Sequence, residues 1–106
     1  MDFHDALAYA KEQNRLLTKR YGLEEDRMRI LAQTVKLSEE VGELANEVLA
    51  SQGLQRHEKL AATEKGNVAK EMADVVFVTM LLADTFGVDL EEALSEKIET
   101  IKIRRA

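Results

Sequence analysis

The chain has 106 residues and a net charge of −5, enough for one small domain (residues 1–106) and a poor match to nucleic acid, whose phosphates call for a basic face. It has no Cys and no Pro, which excludes disulfides and thiolate metal sites. The abundance of Leu, Ala, Glu and Lys suits helices throughout, and the lack of Cys suits a reducing cytoplasm. No apolar run reaches the roughly 18 residues of a membrane span and no N-terminal signal pattern is present, so no membrane partner is expected.

Asp2 is placed to cap a first helix running to about Arg20, with Phe3, Leu7, Ala10, Leu17 and Tyr21 toward the packed side and Gly22 at its C-terminal stop. A second helix starts among the acids Glu24 to Asp26 and runs to about Ala50. Its apolar stripe reads Ile30, Leu37, Val41, Leu44, Ala45 and Val48. Residues 51–66 read as a linker with one short helix around His57 to Ala62. A third helix spans about Asn67 to Phe86 and stops at Gly87. Asp89, with Glu92 three residues on, opens the last helix, which carries Leu90, Ala93, Leu94, Ile98 and Ile101 inward.

From Met72 to Ala83 the only charged residue is Asp74, and the apolar residues cover nearly the whole circumference of the third helix. Such a helix is expected to be buried all round. The pattern predicts an all-α helical bundle of about four to five helices. A chain this short has few helices with which to surround an apolar one, so completion across a homodimer is expected. The alternative is a monomeric bundle whose first helix folds back as a lid.

Two acidic clusters stand out: Glu39, Glu40 and Glu43 in KLSEEVGELANEV, and Glu71 and Asp74 in KEMADVVFVTMLLA. Lys36 lies one turn before Glu40 and shares its side, roughly opposite the Val41/Leu44/Val48 stripe. Taken alone, Glu39, Glu40, Glu43 and Glu47 fit an ordinary solvated face. Glu71 and Asp74 point elsewhere, because their helix has no polar face to hold them. A buried unpaired carboxylate must protonate, find a cation or sit at a wet cleft. If the two helices pack at ordinary distance, about 8–10 Å between axes, four carboxylates converge, and divalent cations relieve their repulsion. Oxygen-only ligands favour Mg²⁺ or Mn²⁺ over zinc. His4 and His57 lie away from the pattern and read as surface or packing residues, and the Glu-x-x-His pairs of di-iron bundles are absent.

Mg²⁺ retains waters and takes phosphate oxygens as co-ligands, so a carboxylate cradle is a natural seat for a di- or triphosphate. Lys36, Lys97 and Arg104 are candidate cations for the leaving group. Lys97 and Arg104 serve equally as residues that favour a helix C-terminus.

The pattern Glu39-Glu40-x-x-Glu43, then Glu71-x-x-Asp74, with FGVDLEEALSEKI following, resembles the MazG-type all-α nucleoside triphosphate pyrophosphohydrolases over about Leu31 to Arg104. The resemblance implies a dimeric or tetrameric bundle that uses Mg²⁺ to hydrolyse the α–β phosphoanhydride of nucleoside triphosphates, removing non-standard or surplus nucleotides. By position, Glu40, Glu43, Glu71 and Asp74 would be metal ligands. Glu39 would orient or deprotonate water, or support the metal ligands from behind, and Lys97 and Arg104 would meet phosphate. The chain departs from the family where Ile101 replaces an expected Asn. Ala50 and Val78 stand where relatives carry base-stacking aromatics, which leaves Phe3, Tyr9 and Tyr21 for that role. A non-catalytic bundle that binds nucleotide or protein around a metal-stabilised acidic core is the competing expectation.

Overall fold

The computed structural model describes residues 1–54 and 67–105. The short helix expected around His57 to Ala62 lies outside them. The described residues form four helices and no strand: α1 (Phe3–Arg20), α2 (Asp26–Ser51), α3 (Asn67–Phe86) and α4 (Leu90–Arg105). The all-α class is therefore the one that the hydropathy pattern predicted.

The helix ends follow from local chemistry. Asp2 Oδ1 accepts from the Asp5 amide at 2.8 Å, and Asp5 returns the bond to the Asp2 amide at 3.2 Å. This reciprocal pair satisfies two amides that a helix start leaves bare. At the other end of α1, Gly22 takes φ +64°, and the Leu23 amide bonds back to the Thr18 carbonyl at 2.8 Å. Gly87 stops α3 in the same way, with φ +67° and the Val88 amide on the Ala83 carbonyl. Side chains with a Cβ resist that left-handed conformation, which is why glycine stands there. Asp89 Oδ1 accepts from the Glu92 amide and caps α4.

The chain divides into two compact units, Met1–Ile30 with Met80–Ala106, and Leu31–Thr79. In the first, Ala10, Met80, Leu81 and Ala83 are buried. A buried polar residue ties them together. Asn14, 4% exposed, donates from Nδ2 to Asp84 Oδ2 at 2.8 Å and to Thr85 Oγ1 at 3.0 Å. Arg29 closes the same corner, reaching the Leu23 carbonyl at 2.8 Å, the Asp26 carboxylate at 2.5 Å and Thr85 Oγ1 at 3.4 Å. Tyr21, expected on the packed side, is exposed because α1 has already ended there.

The apolar residues of α4 depart from expectation. Ala93, Leu94, Ile98 and Ile101 were to face inward, yet all are exposed and α4 buries no residue in the single chain. The other described segments leave that helix nothing to pack its whole apolar side against.

In the second unit, the packed side of α2 also differs from the expected stripe. Gln33 and Glu40 are buried and Leu37, Leu44 and Glu47 half-buried, whereas Val41, Ala45 and Val48 are exposed. The inward seam steps by four and three residues and alternates polar with apolar. On α3 the seam is Val68, Glu71, Val75 and Val78. That helix is not buried all round, since Met72 and Val76, one turn apart, are each 50% exposed.

Asn14→Ala should cost about 1–3 kcal/mol, because it leaves the Asp84 carboxylate without its buried donor. Urea unfolding measures this, and an unchanged midpoint would contradict the network's role.

Candidate metal centre

Glu40 and Glu43 are three apart on α2, and Glu71 and Asp74 three apart on α3, so each pair projects from one side of its helix. The structure brings Glu40, Glu43 and Glu71 together, each with a carboxylate oxygen within 4.8 Å of the others'. Asp74 is half-buried and stands outside that triad, but its charge acts on Glu71.

Glu40 is 5% exposed. One of its oxygens meets Lys36 Nζ at 3.0 Å, and the ion pair raises the lysine's pKa, first through the hydrogen bond and then through the charge. The other, Oε2, is buried and has no hydrogen-bond partner among the described residues; the same holds for Glu71 Oε2. The Glu71 carboxyl is pushed above its ordinary 4.5 by burial first, then by the charges of Glu43 and Asp74, against a smaller downward pull from Lys70. Two orphaned buried oxygens among converging carboxylates are the arrangement a hard divalent cation relieves, and all the donors are oxygen. The residues therefore fit Mg²⁺ or Mn²⁺.

The remaining sequence candidates fall as follows. Glu39 is exposed and lies 3.8 Å from Lys36 Nζ, within ion-pair reach. Lys97 and Arg104 are exposed on α4. Phe3 is half-buried, while Tyr9 and Tyr21 present exposed rings. Glu47, expected on a solvated face, is instead half-buried with a buried oxygen, Oε2, that finds no partner among the described residues. The signal for it was present in the sequence: Gln33, Glu40 and Glu47 recur every seven residues, between Ile30, Leu37 and Leu44 at the same period.

The described residues thus define an all-α protein in which two helices converge three carboxylates that could hold a metal ion. The profile of the phosphoribosyl-ATP pyrophosphohydrolase family, PRA-PH, matches residues 2–100, and the chain belongs to that family. The family is one of nucleotide pyrophosphohydrolases, the coarse class that the sequence resemblance implied. The chain is also 40% identical over 63 residues to the uncharacterized protein YpjD of Bacillus subtilis (strain 168), a match covering 59% of this chain and 55% of that protein. It thus spans about half the length of the curated relative it matches. No solved structure matches the chain.

A pH consequence follows from Glu71. Its folded-state pKa lies above the unfolded one, so the folded chain holds that proton more tightly. The ionised group therefore costs stability above the folded pKa, and the cost fades as pH falls toward the unfolded value. Metal-free protein should lose part of its melting temperature as pH rises above the ordinary carboxyl value of 4.5, and Glu71→Gln should flatten that loss. An identical pH profile in the variant would contradict the assignment.

Proposed function

We propose that the chain is a Mg²⁺-dependent nucleoside triphosphate pyrophosphohydrolase of the MazG type, acting on dNTPs or non-standard nucleotides. It cleaves the α–β phosphoanhydride to give monophosphate and pyrophosphate. The observation that carries the reading is the meeting of Glu40, Glu43 and Glu71, two of which, Glu40 and Glu71, keep a buried oxygen without a partner among the described residues. Family membership supports the same chemistry.

Glu40, Glu43 and Glu71, with Asp74 beside Glu71, hold the cation. When bound, Mg²⁺ supplies Lewis-acid polarisation of the phosphoryl oxygens and offsets their charge. Lys36, fixed by Glu40 and exposed at its far side, meets phosphate oxygens next to the triad. Glu39, exposed and tethered only loosely to Lys36, orients water or takes its proton. Water adds to phosphorus, the bridging P–O bond breaks, and pyrophosphate leaves with the bonding electron pair. Lys97 and Arg104, exposed on α4, are the further phosphate-binding cations that the family pattern implies.

The working state is a homodimer or homotetramer. In the single chain Leu94, Ile98 and Ile101 are 48%, 43% and 41% exposed, and Met72 and Val76 are bare on α3. Covering such rows is what a second copy does. Light scattering should give a dimer or tetramer, and Ile98→Glu should lower the mass toward one chain. A wild type that is monomeric at all concentrations would contradict this. Among the described residues no helix is long and apolar enough to cross a membrane, and the absence of Cys suits a cytoplasmic setting.

Incubation with each NTP and dNTP, with modified nucleotides and with phosphoribosyl-ATP, in the presence of Mg²⁺, tests the reaction. Monophosphate with pyrophosphate is the expected product pair. Diphosphate with orthophosphate would place cleavage at another bond, and no turnover on any substrate would favour a non-catalytic binding module. Asp74→Asn should lose nearly all turnover while its helical signal survives. Full activity in that variant would contradict the placement of the cation.

A further inference from the structure

Glu47 has no place in the chemistry above, yet the structure treats it unlike a surface acid. It lies one turn beyond Glu43 and two beyond Glu40 on the inward seam of α2. Its Oε2 is buried and accepts no hydrogen bond from any described residue. A carboxylate oxygen taken out of water without a donor is a costly feature, and in a native fold it calls for an explanation.

The nearest hydroxyl on α2, that of Ser51 one turn on, donates to the Val48 carbonyl at 2.6 Å instead. Lys36 is committed to Glu40 and Glu39 about three turns earlier, and the seam residue between Glu40 and Glu47 is Leu44. Glu47 does not belong to the triad whose oxygens lie within 4.8 Å of one another, and it is not among the charges that act on Glu71 as Asp74 is, which sets it farther from the cation than Asp74. Mg²⁺ keeps several of its waters, and carboxylates one layer out orient those waters by accepting from them. We propose that Glu47 is a positioning residue of the cation site, accepting a hydrogen bond at Oε2 from a cation-bound water. This inference rests on the reading of the triad as a Mg²⁺ seat.

Calorimetric titration of Mg²⁺ into the full chain tests it without reference to turnover, alongside melting curves of the metal-free protein. Glu47→Gln keeps the shape and removes the charge. It should weaken Mg²⁺ binding about tenfold to a hundredfold, while the metal-free melting temperature holds. Glu47→Asp, with the charge kept on a shorter arm, should recover part of the affinity. Unchanged Mg²⁺ affinity in Glu47→Gln, with wild type binding normally, would overturn this inference and leave the triad reading standing. A lowered metal-free melting temperature would overturn it too, by making Glu47 a structural residue. Failure of the wild type to take up Mg²⁺ would overturn both.

Discussion

The second unit is shaped by the repulsion among carboxylates that its two helices force together. Glu40 is the pivot. It is buried, one oxygen is paired with Lys36, the other has no donor among the described residues, and its carboxylate meets those of Glu43 and Glu71. Apolar packing alone would not choose this arrangement. The seam of α2 gives every second inward position to a polar residue, Gln33, Glu40 and then Glu47, and α3 answers with Glu71 between valines. Hydrophobic contact that an all-Leu seam would make is given up, and in the proposed reading a bound charge of opposite sign compensates.

The two units handle buried polarity in opposite ways. In the first, Asn14, Asp84, Thr85 and Arg29 complete one another within the chain, and α1 is pinned to the end of α3 by side-chain hydrogen bonds. In the second, among the described residues, Glu40, Glu47 and Glu71 each keep a buried oxygen without a donor. A satisfied network fixes structure. The unsatisfied one is the feature on which the proposed cation site rests, with Lys36 and Glu39 exposed beside it.

Much of the fold was legible in the sequence because helix ends are governed by local chemistry. Asp2, Gly22, Gly87 and Asp89 each act within a few residues, so the boundaries they imply are close to those of α1, α3 and α4. The register of α2 was not legible in the same way. Val41, Ala45 and Val48 form an apolar stripe as regular as Leu37 and Leu44, and a reading by hydropathy assigns the glutamates to solvent. Only the positions occupied by carboxylates on α3 decide between them. The same habit hid Asn14, a buried polar residue amid the apolar positions of α1. The inward face assigned to α4 is not covered by the described residues, and its isoleucines stand exposed.

Diffraction from crystals grown with Mn²⁺, recorded at the manganese absorption edge, tests the central claim most directly. An anomalous peak in contact with the carboxylates of Glu40, Glu43 and Glu71 is the predicted result. Manganese bound elsewhere, or absent while those three side chains still meet, would contradict it.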